Sequence, residues 1–134
     1  MITVTKKPEM NDTIVRLCAM DDIPEEGSNG FLVETTEGRF GTLVVRKKTK
    51  IFVYKNSCPH IGTPLDIKAG QFLTLDKSRI ICSTHGALFR IEDGYCVSGP
   101  CAGSSLLALS AMIYDDEIFI NLPKPKGFGL KKVY

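Results

Sequence analysis

Two short segments hold both histidines of the 134-residue chain and two of its five cysteines. The first reads Cys58-Pro59-His60-Ile61-Gly62-Thr63-Pro64-Leu65, the second Cys82-Ser83-Thr84-His85-Gly86-Ala87-Leu88-Phe89. Each offers one soft thiolate and one imidazole, as Cys-x-His and as Cys-x-x-His, with residues 61–81 between the two pairs. Two thiolates and two imidazoles can hold zinc tetrahedrally. They can also hold a binuclear iron–sulfur cluster, with the thiolates on one iron and the imidazoles on the other. Spacing within each pair does not choose between these. Pro or Gly close to every ligand candidate marks both segments as loops, where backbone can approach a cluster and donate N–H groups to sulfur.

Loops of this kind need a rigid frame, and the rest of the chain supplies strands. Short β-rich runs are expected at Thr13–Leu17, Phe31–Glu34, Gly41–Arg46, Lys50–Tyr54, Arg79–Cys82, Leu88–Ile91, Tyr95–Val97, Leu106–Leu109 and Glu117–Leu122. Turn residues at Glu37-Gly38, Asp93-Gly94 and Asp115-Asp116 separate neighbouring runs, and Asp-Gly is the strongest of these as a tight hairpin. Many short strands at close spacing predict an all-β barrel or sandwich. No segment has a helical period of useful length, and Asp21–Glu26 reads as a short acidic turn. Pro123–Tyr134, rich in Pro, Gly and Lys, reads as an extended basic tail.

Composition narrows the function classes. The length suits one domain, and 43% apolar residues suffice for a core. A net charge of +2 with scattered basic residues gives no nucleic-acid footprint. No apolar run approaches the roughly 20 residues of a membrane span. Met1–Lys7 shows neither the apolar stretch of a secretory leader nor a twin-arginine pair, so a cytoplasmic protein is expected. An odd cysteine count in such a setting argues for metal binding or burial rather than a disulfide framework. Cys18 and Cys96 read as small core residues, and Cys101 is assigned no chemistry. Arg46, Lys47, Lys48 and Lys50 read as a solvated hairpin tip. With both histidines in the metal segments, no Ser/His/Asp arrangement is available, and no phosphate-binding glycine loop is present.

The residues flanking the candidate ligands carry a resemblance. C-x-H-x-G-x-x-L followed by C-x-x-H-G-A-x-F resembles the Rieske iron–sulfur family. Asp93-Gly94 and the stretch Ser98-Gly99-Pro100-Cys101-Ala102-Gly103, followed by Leu106, look like that family's closing hairpin and Gly-Pro segment. The resemblance covers roughly Gly30 to Leu122. It implies one [2Fe–2S] cluster, with Cys58 and Cys82 on the buried iron and His60 and His85 on the outer iron. It also implies an all-β Rieske fold over residues 1–122, with a small cluster-binding subdomain at about 56–103 inserted into an antiparallel base. The stretch between the loops is longer than in compact Rieske ferredoxins, which an insertion around Lys68–Lys77 explains.

The resemblance implies electron transfer. Rieske oxygenases add a mononuclear iron in a separate large domain, for which this chain has neither spare histidines nor length, so catalysis by this chain alone is not expected. A soluble carrier fed by a flavin reductase and serving an oxygenase or similar terminal enzyme is the first expectation. A fixed small subunit of a larger redox enzyme, like that of an assimilatory nitrite reductase, is the alternative. High-potential family members carry a serine and a tyrosine where this chain has Ala87 and Phe89, and a loop-to-loop disulfide where it has Thr63 and Thr84. The resemblance therefore implies a potential near the low end of the Rieske range, about −150 mV.

Overall fold

A computed structural model describes residues 2–10, 13–35, 38–59, 62–66 and 68–122. Among these the regular elements are a 3-10 turn at Met20–Asp22 and ten strands: β1 (Ile2–Thr3), β2 (Ile14–Ala19), β3 (Gly27–Thr35), β4 (Gly38–Lys47), β5 (Lys50–Lys55), β6 (Arg79–Ile81), β7 (Leu88–Arg90), β8 (Cys96–Ser98), β9 (Ala108–Tyr114) and β10 (Glu117–Asn121). The all-β expectation holds. The expected basic tail, Pro123–Tyr134, lies outside the described residues.

One sheet runs in the order β2-β10-β9-β5-β4-β3, antiparallel along that path. β9 branches: Ala108 and Leu109 pair with β5, while Met112 and Ile113 pair in parallel with β1. A second, antiparallel sheet, β6-β7-β8, is encoded between β5 and β9. The pairing Tyr114↔Glu117, with positive φ at both Asp115 and Asp116, makes a two-residue turn of the kind that matches strand twist. Asp93-Gly94 departs from the expected tight turn. β7 and β8 are joined by a longer loop in which Asp93 accepts the Tyr95 N–H and pairs with Arg90.

Two apolar clusters form the core, one on each face of β4 and β5. Val44, Ile51 and Val53 face Ile23, Ala111, Ile118 and Ile120. Leu43, Val45 and Tyr54 face the other way, toward Leu65, Phe72, Phe89 and four of the five cysteines. Burial on both faces explains why Leu43-Val44-Val45 is continuously apolar, whereas β9 alternates with Leu109, Ala111 and Ile113 inward. β5 therefore separates the small sheet from the large sheet's inner core. Tyr54 fastens the two with a 2.6 Å hydrogen bond from Oη to the Ile91 carbonyl.

Candidate metal centre

The two cysteine loops share one hydrogen-bond frame. Cys58 N–H donates to the carbonyl five residues on, at Thr63 (2.8 Å), and Gly62 N–H returns a bond to the Cys58 carbonyl (2.7 Å). Cys82 N–H donates to Ala87 O (2.9 Å), and Gly86 N–H returns to the Cys82 carbonyl (3.0 Å). In both loops the glycine four residues after the cysteine takes positive φ, +78° at Gly62 and +71° at Gly86, which a side chain would resist. The segments that looked different as Cys-x-His and Cys-x-x-His are thus alike as Cys-x-x-x-Gly, with the histidine moved by one position.

The loops are fastened to each other and to the frame. Ser83 N–H donates to Leu65 O (2.8 Å), and the hydroxyls of Thr63 and Thr84 meet at 3.3 Å. Asn56, where β5 gives way to the first loop, closes that loop. Its Oδ1 accepts Leu65 N–H (2.8 Å), its Nδ2 donates to Asp66 (3.2 Å), and its own N–H donates to Gly41 O (2.8 Å). The sequence reading passed over Asn56; an amide side chain at a strand end, two residues before a ligand candidate, was the available signal.

A third segment closes the site from below. Gly99, with φ +105°, lies so near Ala87 that a Cβ there would come within 2.7 Å of Ala87 Cα. The chain after Gly99 folds back through Gly103 N–H to Cys96 O (3.1 Å) and Ser104 N–H to Cys101 O (2.9 Å). This brings the Cys96 and Cys101 sulfurs to 3.1 Å, with Cys101 donating, while the Cys96 S–H donates to Ser98 O (3.2 Å). Cys101 lies in the same buried cluster as Cys58 and Cys82. Burial, reinforced by the bond to Cys96 and the adjacent thiols, pushes the Cys101 thiol up to about 12. Cys18 lies in the other cluster, and burial likewise raises it to about 12.

Of the four expected ligands, Cys58 and Cys82 are buried, 3% and 1% exposed, in the same apolar cluster, and His85 is exposed on the second loop. His60 lies outside the described residues. Among the described residues no three Cys, His, Asp or Glu side chains converge as a single-ion site. The donor set nonetheless fits a binuclear centre: two thiols inside, on matched loops held in contact, and an imidazole at the surface. The expected insertion forms a hairpin bridged at Leu73↔Ile80 and anchored by Phe72, whose ring lies against Gly30 while its N–H donates to Ser28 Oγ (3.2 Å). At its tip, hydrogen bonds from Ser78 and Thr74 draw the Asp76 carboxyl down to about 2. No Asp, Glu, Lys or Arg occurs in Cys58–Leu65, Cys82–Phe89 or Tyr95–Tyr114, so the loops around the thiols carry no fixed charge.

Comparison with known proteins gives a consistent result. The family described as the Rieske [2Fe-2S] domain matches residues 13–119. No curated protein sequence matches the chain. Among solved structures, it is similar to the ferredoxin of carbazole 1,9a-dioxygenase from Nocardioides aromaticivorans IC177. The identity is 20% and the TM-score 0.66, over 83% of this chain and 99% of that one. A second similar structure is a complex of reduced oxygenase and oxidized ferredoxin in carbazole 1,9a-dioxygenase, at 21% identity and TM-score 0.65, over 83% of this chain and 94% of that one. A third is the terminal oxygenase of carbazole 1,9a-dioxygenase from Novosphingobium sp. KA1, at 17% and 0.68, over 86% of this chain and 31% of that one.

Proposed function

This chain belongs to the Rieske [2Fe-2S] domain family, and on that premise we propose that it is a one-electron carrier, taking electrons from a flavin reductase and delivering them to an oxygenase or similar terminal enzyme. One [2Fe–2S] cluster per chain supplies the one-electron chemistry. Cys58 and Cys82 hold its inner iron, and His60 and His85 its outer iron. The observation that supports this reading best is the pair of matched loops, which set two buried thiols on twin frames fastened at Leu65–Ser83 and Thr63–Thr84. Buried thiolates are costly unless a metal neutralises them, and these two have iron as the partner the family implies. Among the described members of the set His85 is the exposed one, so electrons leave and enter on its side. An oxygenase as acceptor is supported by the similar structure in which a ferredoxin is complexed with one. Five cysteines without a disulfide suit a reducing compartment, the cytoplasm.

The test is metal analysis combined with partner assays. Purified protein is expected to hold two irons and two acid-labile sulfides with no zinc, and to show a Rieske-type EPR signal when reduced. It is expected to be reduced catalytically by a flavin reductase and to turn over no organic substrate alone. Cys82→Ala and His60→Ala are expected to abolish cluster assembly and, because the cluster joins the loops, to lower the melting temperature. A colourless zinc protein would end this reading.

A further inference from the structure

No Asp, Glu, Lys or Arg lies within the two cysteine loops, so the first charged residues outside them set the local field. They are Lys55, Asp66, Arg79 and Arg90. Three of the four are turned elsewhere. Lys55 holds its ammonium over the Phe40 ring, 5.6 Å from the centroid, and Phe40 packs against the other apolar cluster. Arg79 folds back onto the Ser78 carbonyl in the insertion hairpin. Arg90 is engaged by the Asp93 carboxylate. Asp66 differs. It is half-buried, and its carboxylate accepts Asn56 Nδ2 (3.2 Å) on one oxygen and the Gly70 N–H (3.2 Å) on the other. No ion pair among the described residues includes it.

These bonds hold the carboxylate beside both cysteine loops. Asn56 stands two residues before Cys58 and accepts the Leu65 N–H. The Leu65 carbonyl, whose peptide bond leads into Asp66, takes the N–H of Ser83, the neighbour of Cys82. Bond lengths along that path keep the Cα atoms of Asp66 and Cys82 within about 10 Å. Leu65, Cys58 and Cys82 share one buried apolar cluster, and a half-buried charge at its edge is screened less than an exposed one. We propose that Asp66 tunes the metal centre electrostatically: its fixed negative charge opposes the arriving electron and holds the reduction potential down. The inference rests on Cys58 and Cys82 being cluster ligands, as proposed above. Reduction adds one negative charge to the centre, and a like charge at this range makes that harder. Through Gly70, the insertion hairpin helps to fix where the carboxylate sits.

Four variants decide it by redox titration of the loaded protein, followed by EPR. Asp66→Asn removes the charge and is expected to shift the potential upward. Asp66→Glu keeps the charge and is expected to stay near the wild-type potential. Asp76→Asn removes a carboxylate at the tip of the insertion hairpin, away from the loops, and is expected to shift the potential less than Asp66→Asn does. Ala69→Lys sets an ammonium in the cleft that Asn56, Asp66 and Ala69 line, with Asn56 and Gly70 unchanged, and is expected to shift the potential upward. An Asp66→Asn potential at or below wild type, a glutamate variant that rises with asparagine, or equal shifts for Asp66→Asn and Asp76→Asn would each overturn the proposal. If Asp66→Asn takes up no iron, Ala69→Lys decides alone, and an unchanged potential there overturns it. A Rieske-type EPR signal in the wild type keeps the carrier reading intact in those cases, whereas a wild type without one would overturn both.

Discussion

Thr63 and Thr84 stand hydroxyl to hydroxyl, 3.3 Å apart, at the point where the two cysteine loops touch. High-potential relatives join these positions by a disulfide; here a weak hydrogen bond takes its place. The double variant Thr63→Cys/Thr84→Cys is expected to oxidise to a crosslink closing a loop of about 20 residues, worth about 3 kcal/mol by chain entropy. Urea unfolding with and without reductant measures it. Identical midpoints under both conditions would show that the contact cannot be bridged.

Asn56 holds the mouth of the first loop through Leu65 N–H and Asp66. Asn56→Ala leaves the Leu65 N–H without its acceptor and is expected to cost about 1–3 kcal/mol. Because the loop carries Cys58, bleaching of the visible spectrum under chelator should accelerate as well. A variant as stable as wild type, losing iron at the same rate, would remove Asn56 from any role in the site.

Tyr54 predicts an alkaline limb in stability. Burial, reinforced by the nearby charges of Asp93 and Glu92, raises its phenol above the ordinary value. The neutral phenol is therefore favoured in the folded state. Below pH of about 10 the unfolded chain is neutral too, and the contribution is whole. Above it the unfolded state ionises first, and stability falls as pH climbs toward the folded pKa. Tyr54→Phe is expected to lose about 1–3 kcal/mol at neutral pH, since the Ile91 carbonyl loses its donor. It should also flatten the limb above pH of about 10. Denaturant titrations of both proteins across that range provide the check.

Gly94 sits under the Tyr54 ring, where a Cβ would come within 2.8 Å of Cε1, and its φ is +74°. Steric overlap and backbone strain act together there. Gly94→Ala is expected to destabilise by more than the roughly 1 kcal/mol that an alanine in the left-handed region costs alone. Gly103→Ala, at the nearer φ of +96° and with nothing within 4 Å, shows backbone strain without overlap in a urea-unfolding assay of both variants.

Ala87 and Phe89 set the expected potential near the low end, about −150 mV. Both are buried on the second loop and the strand that follows it. Phe89→Tyr and Ala87→Ser are each expected to raise the potential if the new hydroxyl reaches sulfur. For Ala87→Ser the hydroxyl must share space with Gly99. A wild-type potential well above zero would mean that donors other than these two positions dominate.

The ligand loops were legible because their chemistry is local. Cys, His, Gly and Pro at short spacing state both the donors and the backbone they need, and the structure gives Gly62 and Gly86 the positive φ that this requires. Strand existence was legible from β-rich runs, but strand ends were not. β9 runs on to Tyr114, beyond the expected Leu109, because its register is set by β10 and β1 rather than by its own residues. β1 escaped notice, since a two-residue parallel strand has no period to read. The contact between Cys101 and Cys96 was not legible, because only the folded turn after Gly99 brings the two sulfurs together.

The uncharged loops around the thiols and the basic β4–β5 hairpin stand at opposite ends of β5. Lys50 opens that strand and Lys55 closes it, roughly 17 Å away at ordinary strand rise. A protein approaching the exposed imidazole end therefore finds no fixed charge on those loops to grip. On the loops themselves orientation comes from shape and from dispersion contacts, while long-range attraction acts on the charges around them, Lys55 and Asp66 nearby and the basic corner farther off. Two kinds of control are thereby separated. Added salt alters how often the molecules meet, and it leaves largely untouched how well they fit once they touch.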